Sequence, residues 1–287
     1  MSRIRDYWTL TKPSLSILVV FSSVVSFMLT RGYESFADPL YRILSLFAGG
    51  FLVTGSANAI NQCVEKDTDA GMKRTASRPI ASGRMSVQAG WVFAILTGIV
   101  GVSWLGWVFN LLTASLAAFS LFLYAFIYTP MKKVSSLAVL MGAIPGALPC
   151  LIGWTAGEGE LSLGGWIVFA FQFFWQFPHF WAIAWVADAD YRKAGFKMLP
   201  NDGKKDIKTA FTIMIYTLFL VPLGFVPYLL HITGIQSAII TVVAGILFLC
   251  QTFYLMMRPT DKAAKWMMFG SFFYLIIIQI ALLFDKV

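Results

Sequence analysis

Asn61, Glu65 and Asp69 recur at i, i+4 and i+8 within the polar stretch from Asn58 to Arg84. On an α-helix, at about 100° per residue, that spacing stacks the three side chains on one face, each a turn beyond the last. Two carboxylates and an amide oxygen are hard ligands, which suit Mg²⁺ better than zinc or copper. Lys73, Arg74, Arg78 and Arg84 follow directly, and such cations could hold the phosphates that a metal of this kind bridges. The plainer reading is a solvated, charged loop between two membrane helices. The helical register at a membrane edge, followed at once by bases, favours a metal–phosphate site.

A second polar loop carries Asp188, Asp190, Tyr191, Arg192 and Lys193. Asp190 could complete the metal site opposite Asp69, with Arg192 or Lys193 on phosphate oxygens; Asp188 reads as ordinary loop charge. Lys132 and Lys133 serve either as further phosphate contacts or as topological anchors. His179 lies in an aromatic run, Phe171 to Trp185, inside an apolar segment. A titratable group at such depth is a candidate functional residue, and a hydrogen-bonded core histidine is the alternative. Pro178 before it would free a backbone carbonyl and kink the helix. Gln172 and Gln176 can share a helical stripe with His179. The aromatic rings from Phe173 to Trp181 either pack against lipid and neighbouring helices or line a tunnel that stabilises a carbocation. Gly142, Gly146 and Gly153, with Pro145 and Pro149, suggest close helix packing or a bent cavity wall.

These residues need a scaffold, and composition says which kind. The chain is 58% hydrophobic and only 13% charged, about half the charged share of a soluble domain. Nine apolar segments are expected to span a membrane, each near the ~20 residues that a hydrocarbon layer requires. They run Pro13–Thr30, Leu40–Asn61, Val87–Val108, Leu111–Tyr128, Ser136–Ala156, Leu163–Ala187, Thr209–Leu230, Ile235–Met257 and Lys265–Phe284. The expected fold is all-α, a polytopic membrane protein forming a single domain over residues 1–287, with site loops at about 61–86 and 188–208. With the N-terminus in the cytoplasm, only Arg31, Arg42 and Lys286 of the 22 bases fall outside, as the positive-inside rule requires. Lys12 counts among the inside anchors. The net charge of +8 is therefore topology and not nucleic-acid binding. Three widely spaced cysteines, Cys63, Cys150 and Cys250, make no disulfide framework. The two charged loops each run from acids into bases and then Pro and Gly (Pro79 and Gly83; Pro200 and Gly203), hinting at two related halves.

At this point the sequence resembles the UbiA-type intramembrane prenyltransferases, in particular their haem-directed branch. Asn61-x-x-x-Glu65-x-x-x-Asp69 is similar to the family's first acidic motif. Met72, Arg74-Thr75 and Arg78-Pro79 continue it, and Tyr128-Thr129 with Lys132 matches the middle segment. Gly146-Ala147 and Leu151 to Trp154 belong to the same segment. Trp175-Gln176-Phe177-Pro178-His179-Phe180, Asp190-Tyr191, Ala194-Gly195 and Met198-Leu199-Pro200 resemble the later signature. Asp188 and Asp190 depart from the second motif of aromatic-substrate members, whose acids stand four apart. Two apart, they cannot share a helical face.

The resemblance implies a helical bundle that transfers the farnesyl group of farnesyl diphosphate to a vinyl group of haem B, adding water and releasing diphosphate. It implies Mg²⁺ on Asn61, Glu65, Asp69 and Asp190, with Arg74, Arg78, Lys132, Lys133 and Arg192 on the diphosphate. Trp175, Gln176, His179 and Phe180 would line the haem and prenyl pocket, and His179 would contact haem or handle the water's proton. Haem A synthase or cytochrome oxidase assembly factors would be partners, beside membrane lipid. The setting would be a bacterial plasma membrane with the site facing the cytoplasm; the short N-terminus lacks an Arg- and Ser-rich transit segment. The alternatives are a related enzyme acting on an aromatic quinone precursor, and a transporter or assembly scaffold. A transporter would place polar groups in broken helices at the bilayer midplane, whereas every charged residue here fits at a span end or in a loop.

Overall fold

The computed structural model describes residues 3–287, without the side chains of Arg3 and Asp202. Met1 and Ser2, the start of the basic N-terminal segment, lie outside the described residues. The chain opens with α1 (Arg3–Leu10), set at 50° to α2 (Pro13–Leu29). α3 (Pro39–Val64) leads into the short α4 (Lys66–Gly71). α5 (Val87–Val108) and α6 (Leu111–Phe122) form a tight hairpin, and α6 continues through a π-helical segment, Leu123–Tyr128, into α7 (Thr129–Met131). α8 (Ala138–Glu158), α9 (Leu163–Val186) and the short α10 (Asp188–Lys193) follow. α11 (Ile207–Leu218), α12 (Leu220–Leu223) and α13 (Val226–Leu229) make one span together, before α14 (Ile235–Met257) and α15 (Asp261–Phe284).

Among the described residues eight helical segments are long and apolar enough to cross a membrane, and the bent pair α1–α2 makes a ninth. The expected all-α membrane architecture with nine spans is therefore present. Five spans start where a side chain satisfies an orphan N–H group of the first turn. Asp38 accepts from Tyr41 N, Ser86 from Ala89 N, Asn110 from Thr113 N, Asp206 from Thr209 N and Thr260 from Ala263 N.

The spans pack in a ring. α3 lies against α5, α2 against α8, α8 against α9, and α15 against both α9 and α14. The ring closes where Gln279 of α15 donates to Ser22 Oγ of α2 at 2.7 Å. Most of α8 and α9 is buried, whereas α5, α6 and α14 turn residues such as Val92, Ile95, Phe119, Val243 and Leu247 outward, where lipid would cover them. Gly153 lets α8 approach α2: a Cβ there would collide with the backbone carbonyl of Ser23. Ser26 Oγ donates to Cys150 O at 2.6 Å across the same interface. Pro149 lacks the N–H that would bond Pro145 O, and Ser120 Oγ supplies that carbonyl with a donor at 3.1 Å. α9 runs unbroken through Pro178, so the expected kink does not interrupt the helix.

The hint of two halves has a structural counterpart. α3 breaks at Glu65 (φ −95°, ψ 16°) before the six-residue α4, and α9 breaks at Ala187 (φ −95°, ψ 14°) before the six-residue α10. Each loop then contains a glycine at φ 74°, Gly83 and Gly203, a conformation that costs glycine little.

Candidate active site

The break at Glu65 does not lose the helical register. Glu65 N donates to Asn61 O at 2.9 Å and Asp69 N to Glu65 O at 2.7 Å, so the three side chains occupy consecutive turns as the spacing predicts. All three are buried, and a buried acid needs a partner. Each finds a cation from a different part of the chain. Lys12 Nζ donates to Asn61 Oδ1 at 3.2 Å, and Lys132 Nζ lies 2.5 Å from Glu65 Oε1. Arg78 Nη1 donates to both Asp69 oxygens, at 2.7 and 2.6 Å. Thr75 Oγ1 donates to Asp69 O at 2.9 Å and holds the loop that carries Arg78.

Lys12 is the site residue that sequence reasoning missed. It sits between α1 and α2 in the left-handed region, at φ 47°, a strained setting for a residue with a Cβ. Two amides of α3 hold that corner. Gln62 Nε2 donates to Leu10 O at 3.0 Å, and Asn58 Nδ2 donates to Thr11 O and Ser16 Oγ, both at 3.1 Å. These bonds satisfy carbonyls that the end of α1 leaves open and turn Lys12 toward Asn61, one position before Gln62. Burial lowers the Lys132 ammonium, and Glu65 opposes that shift.

Tyrosines line the same end. The π-helical segment adds a residue to the turn and brings the rings of Tyr124 and Tyr128 to 5.2 Å. Lys132 Nζ lies 4.9 Å from the Tyr128 ring and 5.3 Å from that of Phe196. Lys197 N donates to Lys132 O at 2.9 Å, tying the two loops together. Burial raises the Tyr191 phenol, and Arg74 nearby works against that.

The remaining expected residues are distributed differently. Arg74 and Lys133 lie toward the surface, and Arg84 is spent on Asp6, Ser82 and Ser77 O. Arg192 Nε donates to Asp188 Oδ1 and Oδ2 at 3.0 and 2.9 Å, and its Nη2 to Gly203 O at 2.8 Å. Asp190 is half-buried on α10, and among the described residues no three Asp, Glu, His or Cys side chains converge as a metal site would. The structure thus assembles Asn61, Glu65 and Asp69 but does not add Asp190 to them.

Gln176 and His179 also part company. Gln176 Nε2 donates to Ala143 O of α8 at 3.1 Å, beside Gly146, whereas His179 turns to α15. Its ring stacks on Trp175 at 4.5 Å and meets the Phe272 ring edge-on at 4.6 Å; Phe180 packs at 5.5 Å. His179 Nδ1 lies 2.8 Å from Ser271 Oγ, and Ser271 Oγ donates to Met268 O at 2.6 Å. A serine has one proton to give. With it committed to Met268 O, Ser271 accepts from His179 Nδ1–H, and the imidazole lone pair stays on Nε2. Trp175 Nε1 donates to Ser271 O at 2.7 Å and fixes the same corner.

The chain has extensive likeness to known proteins. The profile described as "UbiA prenyltransferase family" matches residues 18–277. A protein of Cytophaga hutchinsonii named protoheme IX farnesyltransferase is 48% identical over 286 residues, covering 100% of this chain and 99% of that relative. One of the same name from Flavobacterium psychrophilum is 43% identical, covering 98% and 94%. A solved digeranylgeranylglyceryl phosphate synthase superposes with a TM-score of 0.82 at 19% identity, over 99% of both chains. A UbiA homologue from Archaeoglobus fulgidus bound to GPP and Mg²⁺ gives 0.68 at 15% identity, over 97% of this chain and 99% of that one. At these identities the two structures are alike in fold.

Proposed function

This chain belongs to the UbiA prenyltransferase family, and from that premise we propose how its buried acid–cation array works. The enzyme moves the farnesyl group of farnesyl diphosphate onto a vinyl group of haem B, the substrates to which its named relatives point. The observation that carries the reading is the buried face of Asn61, Glu65 and Asp69 with Lys12, Lys132 and Arg78 already in contact.

Diphosphate is the ligand that suits this array. Lys12, Lys132 and Arg78 surround its position with cations, and Arg74 stands at the mouth. Asn61 Nδ2, buried and without a hydrogen-bond partner among the described residues, can donate to a phosphate oxygen. The oxygen-only set of Asn61, Glu65 and Asp69 fits Mg²⁺. Bound there, Mg²⁺ would neutralise diphosphate charge and make it a better leaving group.

As the allylic C–O bond breaks, its electron pair goes to the diphosphate, and the fixed cations stabilise that charge without reorganising. The vinyl π electrons of haem B then form the new C–C bond to the allylic carbon. Water adds to the resulting cation and gives up a proton, leaving the hydroxyl. The apolar walls of α8 and α9 exclude water until that step. His179, with its lone pair on Nε2, contacts haem or accepts that proton. In this reading the array faces the cytoplasm of a bacterial plasma membrane, a placement that the cation-rich loops support through the positive-inside rule.

The test incubates membranes carrying the chain with haem B, farnesyl diphosphate and Mg²⁺, then resolves the pigments by chromatography with mass detection. The expected product is haem gaining one farnesyl group and one water. Unchanged haem beside a prenylated aromatic acid would transfer the chain to the quinone-precursor branch.

A further inference from the structure

A second cleft opens beside the array, on the far side of Lys132. Its volume is about 510 Å³, within the range of small-molecule sites. Its walls come from the α7–α8 connection, α10 and the loop after α10. Phe196 belongs to it and also faces Lys132 Nζ, so the cleft and the ion pairs share that side chain. Lys197 also lines it, and its backbone N–H holds Lys132 O.

The lining is part apolar and part polar, with Ser135, Ser136 and Tyr191 beside the apolar side chains and cations at the rim. Val134, Phe196, Met198 and Leu199 give the apolar surface, and Arg192 and Lys197 give the charge. Arg192 is pinned by Asp188 and Gly203 O, with Nη1 uncommitted. The ammonium of exposed Lys197 makes no ion pair or hydrogen bond among the described residues. With Asp188 matched by Arg192, Lys197 leaves the cleft with unmatched positive charge. An apolar body bearing carboxylates is what such a surface recognises: the body desolvates the walls and the carboxylates take charge-assisted hydrogen bonds.

The acceptor proposed above has that form, an apolar macrocycle with two carboxylate side chains, while the diphosphate engages Lys12, Arg78 and Lys132. Resting on that reading, we propose that Lys197 and Arg192 hold the carboxylates of the acceptor tetrapyrrole in this cleft and so choose which edge of it meets the allylic carbon. Arg192 then serves the acceptor and not the diphosphate.

The test compares haem B with its dimethyl ester, which removes both carboxylate charges, in the wild-type enzyme and in Lys197→Met, Lys197→Arg and Arg192→Met. Lys197→Met is expected to raise KM for haem B about tenfold, the worth of a single charge-assisted hydrogen bond, and to leave KM for farnesyl diphosphate unchanged. Esterification should raise acceptor KM in the wild type and have a smaller effect in Lys197→Met, where only the Arg192 contact is left to lose. Lys197→Arg should restore most of the affinity. An unchanged haem B KM in Lys197→Met, or an ester penalty as large in the variant as in the wild type, would overturn the proposal. So would a rise in farnesyl diphosphate KM in Arg192→Met with haem B KM unmoved. Failure of the wild-type enzyme to farnesylate either tetrapyrrole would instead refute the acceptor reading itself.

Discussion

Lys132 and Glu65, 67 positions apart in the sequence, meet with Nζ 2.5 Å from Oε1, and both are buried. Their pairing is one of three in which a buried oxygen of the first polar loop meets a cation, Lys12 and Lys132 from elsewhere in the chain and Arg78 from the loop itself. Polar pairs buried this deeply cost desolvation, and an enzyme gains from them when a charged substrate takes up the same groups. The positive charge is placed before the substrate arrives, so leaving-group departure needs no rearrangement of protein dipoles.

Removing one member of this pair leaves the other buried and uncompensated. Lys132→Met is expected to destabilise the fold by about 3–5 kcal/mol, read as a fall in the unfolding temperature in detergent. The double variant Lys132→Met with Glu65→Gln should recover most of that stability and none of the turnover. Recovery of turnover would assign the pair a purely structural role.

Lys12→Met should lower kcat/KM for farnesyl diphosphate by about 10–100-fold, the value of one charged hydrogen bond, with the protein still folded and inserted. Steady-state kinetics over a farnesyl diphosphate series measures it. An unchanged kcat/KM would mean that Lys12 only braces Asn61.

Gln62 acts through Lys12 and not on substrate. Gln62→Leu strips Leu10 O of its donor, so the corner loosens, and kcat/KM should drop by less than in Lys12→Met. Because both act on one ammonium, the double variant should be no worse than Lys12→Met alone. Additive losses in that cycle would separate the two residues.

Much of this is legible in the sequence. The spans Val87–Val108 and Ile235–Met257 fall where expected, because residues that end an apolar run also start a helix: Ser86 caps the first turn of one, and Gly234 precedes the other. Asn61, Glu65 and Asp69 share a face because the backbone bonds carry α3's register through Glu65. Lys12, by contrast, reads in the sequence as one more cytoplasmic anchor. Only the α1–α2 corner, built by Asn58 and Gln62, brings it to Asn61. The expected place of Asp190 is opposite Asp69, yet how far one loop stands from another depends on helix packing that spacing does not encode. The same holds for Gln176 and His179: a shared stripe is correct as geometry along α9, but α8 takes one residue and α15 the other.

Ser271 is expected to matter to the acceptor step alone. Ser271→Ala removes the acceptor from His179 Nδ1–H, frees the tautomer, and should slow haem turnover about tenfold, the worth of one lost hydrogen bond. Farnesyl diphosphate binding should not move, and Ser271→Thr should retain most activity. His179→Ala should likewise cut haem product more than farnesyl diphosphate binding. Equal loss of both would assign His179 to packing.

Everything above turns on the Asn61–Glu65–Asp69 face, with its cations, being where the diphosphate binds. Titration of farnesyl diphosphate into purified protein at stepped Mg²⁺ concentrations, for wild type and Asp69→Asn, tests it without relying on turnover. Wild-type affinity should rise with Mg²⁺, and Asp69→Asn, correctly folded, should lose that dependence. An Asp69→Asn protein that binds farnesyl diphosphate with wild-type affinity and wild-type Mg²⁺ dependence would place the diphosphate elsewhere.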